Sequence, residues 1–227
     1  MTVSVIVPWQ PSCPHRHAEW DFLRPRWAEV GELIVGTCAG PWVKADAIAD
    51  GLTRATGVQL VIADADVWVD PTEALAECQT WAIPHLNVHR LSPESTTQVL
   101  DGADWHGLPL DRKVYKGFAG GGVTVIRREV YEDCPMPRIE GWGQEDEAWA
   151  LALTRLYGSP WRGRLDLVHL WHPPQPRLSN DVGSVEGRRL RDRYRVANPR
   201  QMRAIVEEAK RVDREVLHHR GDSPSGD

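Results

Sequence analysis

The stretch VIADADVWVD, residues 61–70, leads from a run of apolar residues into two aspartates, Asp64 and Asp66. Upstream of it, apolar runs alternate with helical patterns, which is typical of a parallel, doubly wound α/β sheet with right-handed crossovers. Both carboxylates then follow the carboxyl end of a buried strand, the edge where open α/β sheets bind ligands. Because they are two residues apart, their side chains lie on the same side of an extended backbone. The alternative is a turn or helix-cap role, although Asp70 already provides a cap for the next helix.

The predicted elements cover most of the chain. Strands are predicted at residues 3–7, 32–36, 59–63, 122–127 and 165–171. Helices are predicted at residues 18–30 with a kink at Pro25, 44–56 ending at Gly57, 71–81 after an N-cap at Asp70, 145–157 ending at Gly158, and 185–219 with an interruption at Pro199. Residues 83–116 are predicted to be irregular. We expect a domain at 1–184, a helical extension at 185–219 that packs on it, and a disordered tail at 220–227.

Composition limits the classes of protein to which the chain can belong. The 227 residues are 41% hydrophobic and 26% charged, which suits one large domain with its own core. The net charge of −5 gives no basic footprint of the kind that nucleic-acid-binding proteins carry. Four cysteines lie far apart without a CxxC pair, which favours reduced thiols over a zinc site. The start, MTVSVIVPW, reads as a first strand, and no apolar run reaches about 18 residues. We therefore expect a cytoplasmic protein without a membrane span.

Three further segments follow the aspartates along the chain. They are GGGVTVIRREVY (120–131), GWGQEDEAWALAL (141–153) and VHLWHPP (168–174). With the DxD pair, this order resembles glycosyltransferases of the GT-A fold, above all the galactosyltransferase and N-acetylgalactosaminyltransferase type, which carries a GWGxED block. The resemblance covers roughly residues 3–172, and ALALTRLYG and HLWHPPQPR also look like small actinobacterial and phage-encoded proteins of this type. It implies a GT-A-like, doubly wound mixed sheet, mostly parallel and flanked by helices.

The resemblance also implies a divalent cation that binds the diphosphate of a nucleotide sugar. Asp66 would coordinate this cation, and Asp64 would bind the donor ribose or reach the cation through water. His169 matches the family's later histidine ligand best, with His172 as a rival. On a strand these two histidines point to opposite faces, so both can bind only if the chain turns between them. The alternative for either histidine is a hydrogen-bonded residue near the core. Oxygen ligands suit Mg²⁺ or Mn²⁺, and an imidazole ligand favours Mn²⁺.

The GWGQED block supplies the candidate catalytic residues. In inverting relatives the aspartate of the ED pair is the general base that takes the proton from the acceptor hydroxyl. The resemblance therefore gives this role to Asp146. The resemblance gives Glu145 a contact with sugar hydroxyls, and Trp142 lies between glycines that let backbone and indole approach a ligand. Acids are also favoured in the first turn of any helix, which is the structural alternative. Retaining relatives tend to carry another residue after the glutamate, so Asp146 favours inversion.

Further donor contacts are expected at the ends of other elements. Pro8 and Trp9 end the first strand, where the family holds the base and the ribose. Arg16 is a candidate for pairing with the base or the diphosphate, although the surrounding PSCPHRH departs from the family's short loop. Gly121 and Gly122 would let the backbone approach the donor sugar, and a bulge or tight turn is the alternative.

These observations predict a metal-dependent, inverting glycosyltransferase that moves a sugar from a nucleotide sugar, preferably a UDP-sugar, to a hydroxyl group. The acceptor is left open between a protein, a glycan and a modified DNA base, and so is the oligomeric state. A sugar nucleotidyltransferase is one alternative, but PWQPSCPHRH (8–17) is a poor phosphate-binding loop. The other is a non-catalytic module that binds nucleotides or glycans, which would gain nothing from Asp146.

Overall fold

The computed structural model describes residues 2–11, 13–117, 121–141, 143–173 and 182–221. Its elements in chain order are β1 (Val3–Pro8), α1 (Pro14–Val30), β2 (Glu32–Gly36), α2 (Lys44–Leu52), β3 (Gln59–Ala63), β4 (Val67–Trp68), α3 (Thr72–Glu77), β5 (Trp81–Arg90), α4 (Pro93–Leu100), β6 (Tyr115–Lys116), β7 (Val123–Arg127), α5 (Arg128–Asp133), α6 (Glu145–Tyr157), β8 (Trp161–His169), α7 (Val182–Val196) and α8 (Pro199–Gly221).

The described strands form one eight-stranded sheet in the order β2-β1-β3-β7-β5-β8-β4, with β6 paired to β5. The strands β1, β2 and β3 are parallel to one another, and β5 is parallel to β8. Strand β7 lies antiparallel between β3 and β5, so all five of those strands run in the same direction. Strands β4 and β6 run against their partners β8 and β5. The sheet is therefore mixed and mostly parallel, which confirms the predicted fold class.

Helices cover both faces of this sheet. Along β1, Val5 and Val7 face the layer in which Trp27 of α1 packs. Ile6 between them faces the other layer, where Trp149 of α6 packs. Successive side chains of a strand point to opposite faces, so a strand covered on both sides is largely apolar. This explains the sequences of β1 and β3, in which Ser4 and Gln59 are the polar residues.

The two carboxyl-terminal helices pack against α6. Tyr194 of α7 and Met202 of α8 are buried in the same core cluster as Trp149. Arg195 donates a hydrogen bond to Glu147 of α6 at 2.9 Å. The boundary at residue 184 stays a prediction. Helix α8 continues to Gly221, two residues into the predicted tail, and residues 222–227 of that tail lie outside the described residues.

The largest difference from the prediction concerns residues 81–116. The helix predicted at 71–81 is α3, which ends at Glu77, and Trp81 opens β5 instead. Trp81 is buried, and its indole N–H donates to the carbonyl of Gly158 at 3.0 Å. The segment predicted to be irregular contains most of β5 together with α4 and β6. Strand β5 pairs with β6, β7 and β8, all of which come later in the chain, so its local pattern alone did not reveal it.

Other elements differ from the prediction at their ends. Helix α1 begins at Pro14 and continues past Pro25. Helix α2 ends at Leu52. Gly57 is therefore not its cap. A Cβ atom there would lie 2.4 Å from the backbone nitrogen of Ser4, so close packing on β1 explains this glycine. Strand β8 spans Trp161–His169 rather than 165–171, while the observed β2, β3 and α6 match the predicted residues 32–36, 59–63 and 145–157.

The four cysteines are unpaired. Burial raises the pKa of Cys78 to about 11 and the pKa of Cys134 to about 12, so both act as small core residues. Within the described ranges, no helix combines the length and the apolar character needed to cross a membrane.

Candidate active site

The carboxyl ends of β3, β5 and β8 meet at one edge of the sheet, and the start of β7 joins them. Asp64 follows β3, and its backbone N–H donates to the carbonyl of Gly122 at 2.9 Å. Because β7 is antiparallel, its preceding residues, Gly121 and Gly122, reach the edge at which β3 ends. Gly122 has a φ of +74°, and a Cβ atom there would lie 2.9 Å from Cδ1 of Leu167. Both the backbone conformation and the close approach therefore require glycine.

Asp66, His169 and His172 form what we term the cation cluster. One potential ligand atom of each lies within 4.8 Å of the others. Val67 pairs with His169 across β4 and β8, and the N–H of Leu170 donates to the carbonyl of Asp66 at 2.9 Å. Nε2 of His172 lies 3.0 Å from Oδ2 of Asp66. Strand β8 ends at His169, and the chain turns after it, so both histidines lie near Asp66. This turn is the condition under which both histidines could bind one cation.

In both histidines Nδ1 lies against a backbone carbonyl, so Nε2 is the ring nitrogen that meets other side chains: Arg90 for His169 and Asp66 for His172. Nδ1 of His169 lies 2.6 Å from the carbonyl oxygen of Leu170, and Nδ1 of His172 lies 2.9 Å from that of Pro173. A carbonyl oxygen only accepts, so each Nδ1 carries the proton. Metal-binding histidines commonly use such a bond to fix the ring and its tautomer. Burial lowers the pKa of His169 to about 4, which keeps its ring neutral at pH 7.

The charge of Asp66 is balanced by the groups around it. Asp66 is buried, and Nη2 of Arg16 on α1 lies 3.2 Å from its Oδ2. Burial opposes ionisation, but His169, Arg16 and His172 together hold the pKa of Asp66 well below its usual range. Burial would also lower the pKa of His172, yet the hydrogen bond to Asp66 and its charge raise it. The neutral His169 and the ionised Asp66 are in the protonation states that bind a divalent cation, whereas His172, whose Nε2 donates to Asp66, would first have to release that proton.

Lys44 links two of the candidate carboxylates in a second group, which we term the lysine cluster: Lys44, Asp64, Glu145 and Asp146. Its Nζ lies 2.7 Å from Oδ1 of Asp64 and 2.9 Å from Oδ1 of Asp146. Burial opposes a charge on Lys44, but Asp146, Asp64 and Glu145 together raise its pKa. A buried ammonium group thus holds the end of β3 against the first turn of α6.

Three carboxyl groups share this one ammonium group. Burial, followed by the charges of Glu145 and Asp64, raises the pKa of Asp146 to about 7 in spite of Lys44. Burial also raises the pKa of Glu145, whose Oε2 has no hydrogen-bond partner among the described residues. An aspartate that titrates near neutral pH can take up and release a proton under physiological conditions.

The loop before α6 is tied to the loop before α2. The N–H of Gly141 donates to the carbonyl of Trp42 at 2.8 Å. Arg138 makes two bonds, of 2.7 and 2.8 Å, to the carboxylate of Asp46. These links fix the start of α2, and with it Lys44, beside the start of α6. Trp142, the predicted ligand contact of the loop, lies outside the described residues.

A cavity of about 180 Å³ lies between the two clusters, and we term it the site cavity. It is too small for a whole nucleotide sugar, since pockets for drug-sized ligands measure about 300–1,000 Å³, so it suits one small group. Its lining comes from β4, β5, β8, α6, the end of β3 and the segments around β6 and β7: Asp64, Val67, His85, Val88, Arg90, Tyr115, Gly117, Gly121, Gly122, Asp146, Leu167 and His169.

The structure does not bring every candidate residue to this cavity. Pro8 and Trp9 do not line it. The indole of Trp9 packs edge-on against His17 at 5.3 Å and tilted against Trp20 at 6.0 Å, so it contacts α1. Arg16 reaches the cation cluster through Asp66, and the remaining described candidates line the site cavity or belong to one of the two clusters.

Five residues at the site were missed by sequence reasoning. Lys44 had one usable signal, since it opens the helix after the second parallel strand and so lies at the ligand-binding edge. His85, Arg90 and Tyr115 belong to the segment predicted as irregular. Glu19 on α1 is fully buried, and neither carboxylate oxygen has a partner among the described residues. Burial and the charge of Asp66 raise the pKa of Glu19 to about 8.

No protein-family model matches the sequence, and no curated protein matches it. Solved structures do match the fold. Glucosyl-3-phosphoglycerate synthase from Mycobacterium tuberculosis, solved with Mn²⁺, UDP-glucose and phosphoglyceric acid, matches with a TM-score of 0.52 and 13% identity over 87% of this chain and 81% of that chain. At this identity the likeness shows that the chain has the fold of these glycosyltransferases.

Two other glycosyltransferases match with lower scores. A mutant of Drosophila β-1,4-galactosyltransferase 7, with manganese, UDP-galactose and xylobiose, has a TM-score of 0.39 and 15% identity over 72% of this chain and 65% of that chain. A mannosyltransferase from Pyrobaculum calidifontis, with GDP-mannose and Mn²⁺, has a TM-score of 0.42 and 20% identity over 77% of this chain and 58% of that chain.

Proposed function

We propose that this GT-A-like chain is a metal-dependent, inverting glycosyltransferase that transfers a sugar from a nucleotide sugar, preferably a UDP-sugar, to a hydroxyl acceptor. The observation that carries the proposal is the site cavity, which has a potential cation site on one wall and a carboxylate with a pKa near 7 on another. The lining of the site cavity includes His169 from the cation cluster and Asp64 and Asp146 from the lysine cluster.

The residues of the cation cluster fit a divalent cation. Asp66 would supply a buried carboxylate, and His169 would supply Nε2 of a ring that is fixed through Nδ1. His172 would supply its Nε2 after releasing the proton that it donates to Asp66. One carboxylate and two imidazoles suit Mn²⁺ better than Mg²⁺. A cation bound there would neutralise negative charge on the departing nucleoside diphosphate. The structural neighbour with Mn²⁺ and UDP-glucose supports this assignment by analogy of fold.

Asp146 is the proposed general base. Lys44 holds its Oδ1, which leaves Oδ2 to accept the proton of the acceptor hydroxyl as that oxygen attacks the anomeric carbon. A pKa of about 7 places Asp146 near the optimum for a base at neutral pH. Asp64, held by the other bond of Lys44, is the proposed partner of the donor ribose. Glu145 is the proposed partner of sugar hydroxyls, since its Oε2 accepts no hydrogen bond from the described residues.

The proposal is tested first by binding. Calorimetric titration of the full chain with UDP and GDP, with Mn²⁺ and again with EDTA, should give binding that EDTA abolishes. UDP-sugars are then offered with water and with a panel of hydroxyl acceptors, and the released products are identified. Release of nucleoside diphosphate supports the proposal. In a parallel assay with a nucleoside triphosphate and a sugar 1-phosphate, release of pyrophosphate would identify a nucleotidyltransferase. Tight binding without turnover would identify a binding module.

The base is tested with a matched pair of variants. Asp146→Asn preserves shape but accepts no proton, so release of nucleoside diphosphate should fall by ~10²–10⁴-fold while donor affinity is kept. Asp101→Asn alters an exposed aspartate at the end of α4 and should behave as the wild type. Near-normal release by Asp146→Asn would remove Asp146 from the mechanism and make Glu145 the next candidate.

A further inference from the structure

Arg90 contacts the imidazole that the cation cluster needs. Arg90 ends β5, and it is the cross-strand partner of His169, which ends the parallel strand β8. The Nη2 atom of Arg90 forms a short hydrogen bond with Nε2 of His169. Backbone bonds hold both residues in place, since the N–H of Leu91 donates to the carbonyl of His169 and the N–H of Asp111 donates to that of Arg90.

This contact uses the ligand atom of His169. Its Nδ1 carries the proton, because it faces the carbonyl of Leu170, so Nε2 has a single lone pair. The guanidinium of Arg90 has donors and no acceptor, which makes that lone pair the acceptor of its N–H. One lone pair cannot accept an N–H bond and coordinate a cation at the same time. Arg90 and a cation therefore compete for His169.

Arg90 also has an unused donor and a place to use it. Its Nε is buried and has no hydrogen-bond partner among the described residues. Arg90 lines the site cavity together with Asp64 and Asp146. A planar guanidinium offers several N–H groups in a fixed fork, which matches the oxygens of a phosphate better than a lysine does.

We propose that Arg90 exchanges partners during ligand binding: it leaves Nε2 of His169 when a divalent cation binds there, and then binds a phosphate oxygen of the nucleotide donor. This inference rests on the proposed function. It makes cation and nucleotide binding cooperative, because the cation frees a guanidinium that the nucleotide uses. No covalent bond changes in this exchange, and His169 and Arg90 keep their protons.

The exchange is tested by separate titrations of Mn²⁺ and UDP into the full-length protein. Arg90→Met removes the competing donor while keeping a long side chain, so Mn²⁺ alone should bind about tenfold more tightly. With saturating Mn²⁺, UDP should bind the same variant about tenfold more weakly, because a charge-assisted bond is lost. Arg90→Lys keeps the positive charge and should bind UDP with intermediate affinity. Arg112→Met, which changes an exposed arginine beside Asp111, is the control and should match the wild type in both titrations.

The opposite results overturn the inference. If Arg90 only orients His169, Arg90→Met should weaken binding of Mn²⁺ alone, as loss of an outer-shell partner does. If the wild type binds Mn²⁺ and UDP and Arg90→Met binds both with the same affinities, the exchange is refuted but the proposed function is not. A wild type that binds neither probe refutes both. Circular dichroism and melting of each variant establish that it is folded before titration.

Discussion

Replacing Lys44 with methionine tests whether a single ammonium group holds the acidic wall of the site together. Nζ of Lys44 is the only cation within 4 Å of Asp64 or of Asp146 among the described residues. Glu145 lies near enough to raise the pKa of Lys44 as well. Methionine keeps the length and most of the apolar stem, so the loss is mainly one of charge.

The expected cost follows from the burial of the three groups. Removing one partner from a buried ion pair typically costs ~3–5 kcal/mol, because the remaining charge stays buried. The side chains of Lys44, Asp146 and Asp64 are 6%, 18% and 29% exposed, so the lower end of this range applies. We expect a loss of about 3 kcal/mol at pH 8, or about 6–12 °C in Tm for a chain of this size.

The loss should depend on pH in a definite direction. When the pKa of a buried carboxyl is higher in the folded state than in the unfolded state, the protein loses stability as the pH rises from the unfolded pKa to the folded pKa. Burial already raises the pKa of Asp146 from 3.8 to about 7, and removing Lys44 removes a group that lowers it. At pH 5 Asp146 of the variant is protonated, so less than half of the loss at pH 8 should remain.

Urea unfolding at pH 8 and pH 5 measures both effects. Lys113→Met, at an exposed lysine, is the control and should change the free energy of unfolding by less than about 0.5 kcal/mol. An equal loss for Lys44→Met at the two pH values would show that packing, rather than charge, is what the lysine provides. No loss at either pH would refute the role of Lys44 in holding the carboxylates.

Three other predictions concern the cation, the base and the frame that positions Lys44. Asp66→Asn should weaken Mn²⁺ binding at least about tenfold by calorimetry, through loss of a charged ligand; unchanged affinity would return this aspartate to a structural role. Sugar transfer should rise about tenfold per pH unit below about pH 7 and level off above it, because Asp146 must be deprotonated to act as a base. A pH-rate profile that is flat from pH 5 to pH 8 contradicts this assignment. Gly36→Ala should destabilise the fold by ~1–3 kcal/mol in urea unfolding, since its Cβ would lie 1.9 Å from the carbonyl oxygen of Ala47 on α2. A fully stable variant would show that α2 can shift without cost.

The sequence predicted the parts of the fold whose signals are local. Strands β1 to β3 are largely apolar, and α6 has an acidic first turn and is followed by Gly158. Asp64, Asp66, Asp146 and the two histidines were found because they stand at the ends of these elements or in the resembling segments. Their chemical roles remain proposals.

The rest depended on pairing between distant parts of the chain. Strand β5 carries His85, Asn87 and His89, so its pattern is neither purely apolar nor cleanly alternating. It is a strand because it pairs with β7 and β8. Lys44 meets Asp146 across 102 residues of sequence, so its place at the start of α2 indicates the ligand-binding edge of the sheet but not this partner. Arg90 was missed for the same reason, since its contact with His169 exists only in the assembled sheet.

The position of β8 in the chain sets the order in which the site is completed during synthesis. Strands β2, β1, β3 and β7 are neighbours in the sheet, and all of them leave the ribosome before Trp161. Nascent chains fold from the amino terminus as they emerge, so this half of the sheet can pair while β8 is still being made. His169 and His172 come last, and they reach Asp66 only when β8 docks between β5 and β4. The growing chain thus carries Asp66 early and gains both imidazoles late, so the proposed cation site is complete only after β8 has been made and has docked.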